Sequence, residues 1–105
     1  MSQRYFEEQK VYAVYIMASK KNGTLYIGVT GSLISRVLQH KEGNVEGFTK
    51  KYGVKTLVWY ESFEDVRLAI QREKTMKKWP RAWKINLIER ENPSWDDLST
   101  LLGGV

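Results

Sequence analysis

Eight consecutive apolar residues, Val11 to Ala18 (VYAVYIMA), constrain this chain more than any other feature. The run is rich in β-branched and aromatic side chains, which suit an enclosed pleated strand, and it is less than half as long as a bilayer-spanning helix requires. Beyond Ser19-Lys20-Lys21, the Asn22-Gly23 pair supplies the backbone geometry of a tight turn, and Thr24 to Val29 (TLYIGV) returns to strand composition. A β-hairpin is predicted.

The remaining elements follow from periodicity and punctuation. Ser32 is placed to cap a short amphipathic helix carrying Leu33, Ile34, Val37 and Leu38 and ending near Lys41. Gly43, Gly47 and Gly53 mark a loop over residues 42–53, and Lys55 to Tyr60 (KTLVWY) reads as a third strand. Ser62 is the expected cap of a helix running through Asp65 to about Trp79. Pro80 then opens another helix that runs to about Glu91 and stops at Asn92-Pro93. The fold class is therefore α+β, a small three-stranded antiparallel sheet flanked by helices in the order β-β-α-β-α-α. Residues 1–10 are expected to be a lead-in, residues 11–98 one domain and residues 99–105 a tail.

Composition removes much of enzyme chemistry. With no cysteine there is no disulfide, thiolate nucleophile or Cys-based zinc site, and one histidine, His40, cannot build a His-rich metal centre. No signal-peptide layout precedes the first strand, so a cytoplasmic protein is expected. The net charge of +5 attracts polyanions, and nucleic acid leads the partner classes.

Three placements ask for a chemical reason. Glu73 falls near the centre of a helical stripe formed by Val66, Ala69, Ile70, Met76 and the stem of Lys77, where an ordinary carboxylate would sit only if paired with a cation. Arg36 and His40 are four residues apart, hence on one side of their helix, and can converge on one anionic group or simply flank the core face. Tyr12, Tyr15 and Tyr26 are ordinary strand formers that gain chemical interest only beside basic neighbours, and Gly28 removes a side chain inside the second strand. Trp79 and Trp83 have the π faces to stack on unpaired bases, but their positions at a helix junction and on an apolar stripe assign them to the core.

Ala13-Val14-Tyr15 followed by Leu25-Tyr26-Ile27-Gly28 resembles the paired signature of the GIY-YIG endonuclease domain. The second half is intact, while Ala13 and Val14 replace the first two residues of the name with small and aliphatic equivalents. Arg36, His40 and Glu73 follow in the family's order, with Lys77-Lys78-Trp79 behind the glutamate, and the resemblance covers residues 11 to 98. It is greatest to small stand-alone members related to the N-terminal nuclease domain of the excision-repair C subunit. The stretch Asn92-Pro93-Ser94-Trp95-Asp96-Asp97-Leu98 is similar to the tail of such proteins.

The resemblance implies phosphodiester hydrolysis of DNA, in repair or recombination, assisted by one divalent cation, Mg²⁺ or Mn²⁺. It assigns Glu73 to the metal, Arg36 to the scissile phosphate with the further effect of lowering the pKa of a neighbouring phenol, and Tyr15 or Tyr26 to activation of the water. His40 would orient a tyrosine, contact phosphate or shuttle a proton. Lys50, Lys51, Lys74, Lys77 and Lys78 are the expected contacts to backbone phosphates. Asn86 is a candidate for the asparagine that the family often carries on the following helix. With no DNA-targeting domain attached, a partner protein is expected to direct it. The competing readings are a nucleic-acid-binding module of the same fold with little catalysis, and a structural protein of a ribonucleoprotein.

Overall fold

The apolar hairpin strand becomes the centre of the sheet. The computed structural model describes residues 11–43 and 51–102. Strands β1 (Tyr12–Ala18), β2 (Leu25–Thr30) and β3 (Thr56–Phe63) form one antiparallel sheet in the order β2-β1-β3, and helices α1 (Leu33–Lys41), α2 (Val66–Lys77) and α3 (Arg81–Glu91) follow the predicted sequence of elements. A 3₁₀ helix over Leu98–Leu102 closes the described chain. The expected lead-in over residues 1–10 and most of the glycine-marked loop, Lys50 included, lie outside the described residues. Among the described residues no helix is long and apolar enough to cross a membrane.

Because β1 is paired on both edges and covered on both faces, it reads as a continuous apolar run rather than an alternation. Its side chains still alternate in destination. Val14, Ile16 and Ala18 pack with Ile27, Ala69, Met76, Leu87 and Ile88 beneath α2 and α3. Tyr15 and Met17 pack with Val37, Val54 and Leu57 on the face covered by α1 and the 3₁₀ helix. Each of these fully enclosed large side chains contributes about 1.5–3 kcal/mol. Between Ile16 and Met17 the β1–β3 register shifts: Ile16 faces Trp59 and Met17 faces Leu57, so Val58 is an extra residue in a β-bulge.

Two boundaries differ from the sequence expectation. The third strand continues past Tyr60 to Phe63, which pairs with Tyr12, so Ser62 is held in the ladder and cannot cap α2. Asp65 takes that role, its carboxylate accepting from the Arg67 amide at 2.9 Å. The hairpin turn is as predicted, with Asn22 at φ 60°.

The segment after α3 is bound into the fold. Buried Asn92 donates its Nδ2 to the carbonyls of Val58 (3.1 Å) and Asp96 (2.9 Å) and accepts from the Asp96 amide. Asp97 accepts from Lys41 Nζ at 2.5 Å and from the amides of Leu57 and Ser99. Burial pushes the Asp97 carboxyl upward, but the bonds from Lys41 and Ser99 outweigh it and hold the group below the usual carboxylate range. The last turn of α1, which carries His40, is thereby fixed to β3 and the 3₁₀ helix.

Candidate active site

Tyr15 projects from the central strand to the α1 face and is only 1% exposed. Directly opposite on β2 stands Gly28, and a Cβ there would lie 2.5, 2.6 and 2.8 Å from Oη, Cζ and Cε1 of Tyr15. The bare backbone of this glycine is the surface on which the phenol lies. The Tyr15 hydroxyl reaches His40 Nε2 at 3.1 Å. The rings of Tyr15, Tyr26 and His40 close a triangle, with centroids 6.2 Å (Tyr15–Tyr26), 5.7 Å (Tyr15–His40) and 5.2 Å (Tyr26–His40) apart.

His40 is 2% exposed, and its Nδ1 has no hydrogen-bond partner among the described residues. Burial, with a further contribution from the Arg36 charge, lowers its pKa from 6.5 to about 4, so the imidazole is neutral near pH 7. Tyr15 is pushed well above the ordinary phenol range. Burial is the main cause, Tyr26 adds to it by charge and by a side-chain hydrogen bond, and Glu73 adds a little more. Arg36 acts in the opposite direction, as the sequence led us to expect, but its charge is overridden by desolvation. The expected lowering of a phenol pKa therefore fails for Tyr15, which remains a neutral hydrogen-bonding group. Tyr26 is only partly buried and lines an open groove with Leu25, Ile27, Lys77 and Lys84.

Arg36 projects from α1 beside this pair and is half-buried, with Nη1 donating to Gln39 Oε1 at 3.1 Å. It also borders a shallow recess with Thr30, Ser32, Ser35 and Gln39. Glu73 shares its stripe of α2 with buried Ala69 and Met76 and keeps only 12% of its side chain exposed, while the outer positions Val66 and Ile70 are exposed. Its carboxylate accepts from Lys77 Nζ at 2.7 Å, and Lys77 is 52% exposed. An i,i+4 pair with a solvated ammonium contributes only about 0.3–0.5 kcal/mol, which a divalent cation or a phosphate readily displaces. Among the described residues no cluster of three or more His, Asp or Glu side chains could hold a metal by itself. The donor set fits a hard cation that takes one carboxylate oxygen and fills its other positions with water and substrate phosphate.

Of the expected phosphate contacts, Lys74 and Lys78 are exposed at the end of α2, and Lys51 lies with Nζ 5.5 Å from the ring of Tyr52. Asn86 is exposed, whereas the structurally engaged asparagine is Asn92. Trp79 is partly buried as expected, but Trp83 is 56% exposed and leaves the core to Leu87 and Ile88.

The model of the GIY-YIG catalytic domain matches residues 11–86. The chain belongs to the GIY-YIG family. Membership places it among nuclease domains and agrees with the strand and helix order found above. This GIY-YIG chain is 37% identical over 79 residues to a UPF0213 protein of Clostridium perfringens, covering 75% of this chain and 84% of that one. It is 34% identical over 76 residues to a UPF0213 protein of Staphylococcus haemolyticus, covering 72% and 92%. The solution NMR structure of the UPF0213 protein BH0048 from Bacillus halodurans superposes with a TM-score of 0.53 at 25% identity, over 90% of this chain and 99% of that one. This GIY-YIG domain thus matches these UPF0213 proteins over most of their length.

Neutral, enclosed His40 makes stability depend on pH. The imidazole takes a proton near pH 6.5 in the unfolded chain but only near pH 4 in the folded one, so between these values the unfolded state binds more protons. The contribution is complete above pH 6.5, falls as pH drops through the window and is lost below 4. Its full size is roughly 3 kcal/mol. Urea midpoints at pH 7 and pH 4.5 should accordingly move further apart in the wild type than in His40→Gln, and equal displacements would contradict the assignment.

Proposed function

We propose that this protein is a divalent-cation-dependent endonuclease that hydrolyses DNA phosphodiester bonds by direct attack of water and serves repair or recombination, with a partner protein supplying targeting. The observation that carries this reading is the convergence of Tyr15, Tyr26, His40 and Arg36 on one face of the sheet, with the Glu73 charge acting on the same phenol. A cation held by Glu73 would supply Lewis-acid stabilisation of the phosphoryl oxygens.

The protein's own groups then divide the remaining work. Tyr26 faces an open groove and is the phenol able to touch the attacking water, whereas Tyr15 is sealed behind it. Tyr15 holds Tyr26 from one side and bonds His40 Nε2 on the other, so a proton taken from water by Tyr26 has a path through Tyr15 to a neutral imidazole. Arg36 offers a forked pair of donors to the scissile phosphate. Lys74, Lys77 and Lys78 neutralise neighbouring phosphates without reading bases.

Supercoiled plasmid incubated with Mn²⁺ or Mg²⁺ should be nicked, and EDTA should stop the reaction. Arg36→Ala should lower turnover by about 100-fold, the usual cost of losing a donor to developing charge. Unchanged nicking in EDTA would overturn the cation requirement. The Glu73–Lys77 pair favours a second reading, a binding module whose carboxylate is already committed; plasmid retention without nicking at any Mn²⁺ concentration would establish it.

A further inference from the structure

A basic corner adjoins the groove beside Tyr26, and α3, which contributes Arg81 and Lys84 to it, also carries an exposed indole. Arg81, in the first turn of α3, donates Nη2 to the carbonyls of Asn22 (2.9 Å) and Gly23 (2.6 Å), joining the helix to the hairpin turn on which Lys20 and Lys21 stand exposed. Lys84 Nζ reaches the Lys77 carbonyl at 3.5 Å, and the two lysine side chains line the groove of about 260 Å³ with Leu25, Tyr26 and Ile27 along the open edge of β2. From Lys74 to Ile88 the sequence contains no acid.

Trp83 stands in this acid-free stretch. Its ring is braced edge-to-face by Trp79, at 6.0 Å and 65°, and Trp79 in turn carries the Arg72 guanidinium 5.3 Å from its centroid. Trp59 and Trp95 are buried, so among the described residues Trp83 is the tryptophan that presents itself most fully to solvent. A braced π surface on a stretch of chain rich in cations suits a nucleobase whose face is free and whose phosphates need neutralising. Bases inside a duplex have no free face.

We propose that Trp83 is a stacking site for an unpaired base of a DNA strand whose phosphates run along Lys77, Lys78, Arg81 and Lys84, and that the preferred substrate carries a single-stranded segment beside the cleaved bond. The substrate clause rests on the nuclease reading; the stacking clause does not. In EDTA, oligothymidylate should quench the tryptophan emission of the wild type. Trp83→Ala should lose most of that quench and bind the oligonucleotide about tenfold more weakly, with blunt duplex binding within about twofold, while Trp83→Phe keeps most of the affinity. Thermal melting of both variants checks that the fold is intact. Unchanged single-strand affinity in Trp83→Ala, or equal weakening for both DNA forms, would overturn the stacking site.

With Mn²⁺ present, a duplex bearing a single-stranded flap should be cut in preference to the blunt duplex by the wild type, and Trp83→Ala should erase that preference. A preference that survives in Trp83→Ala overturns the substrate clause. Cleavage of neither form by the wild type overturns the nuclease reading, and the measurements in EDTA then decide the stacking site alone.

Discussion

Glu73→Ala is expected to reduce plasmid nicking by roughly a thousandfold while leaving DNA retention intact. Glu73 combines nearly complete enclosure on the sheet-facing stripe of α2 with an electrostatic reach to Tyr15. Removing it takes away the carboxylate expected to hold a cation and releases the Lys77 ammonium. Net charge rises by one, so affinity for phosphate should hold or increase. Little stability is at risk, because the pair with Lys77 contributes only a few tenths of a kcal/mol. Parallel measurements of nicking and of retention at low salt separate the two effects, and nicking at the wild-type rate would remove Glu73 from the chemistry.

Adding one methyl group at Gly28 should be nearly as damaging for a different reason. The Cβ of Gly28→Ala must occupy space already filled by the Tyr15 phenol, whose ring is enclosed and whose hydroxyl is anchored on His40. Overpacking of this kind costs about 1–3 kcal/mol. Displacing the hydroxyl by as little as an ångström lowers turnover by about 100-fold. In a Tyr15→Ala background the obstruction is gone, and the same substitution should cost less than about 0.5 kcal/mol; the difference is the coupling read by a double-mutant cycle. Equal costs in both backgrounds would show that Gly28 matters for its backbone rather than for the ring lying on it.

The legible and illegible parts of the sequence divide by range. The Asn22-Gly23 turn and the burial of Glu73 beside Ala69 and Met76 are local patterns that stand in the structure, whereas Val66 and Ile70, expected in the same stripe, are exposed. The purpose of Gly28 depends on β1–β2 register, since Tyr15 must stand directly opposite, and register is absent from either strand read separately. The bulge at Val58 is hidden for the same reason. Trp83 departs from the expectation of a core tryptophan because Leu87 and Ile88 fill the buried face of α3 and leave its ring 56% exposed, a placement that an apolar residue on a helical stripe does not reveal by itself. The order of phenols, guanidinium and carboxylate was readable through resemblance. The dominance of burial over the Arg36 charge at Tyr15 was not, because desolvation is a property of the assembled core.

The clasp between Lys41 and Asp97 joins the end of α1 to a residue that follows every proposed reactive side chain in chain order. A chain shortened to end at Glu91 would keep both tyrosines, the arginine, the histidine and the glutamate but lose the tie from the last turn of the helix bearing His40 to the Leu57 and Ser99 amides.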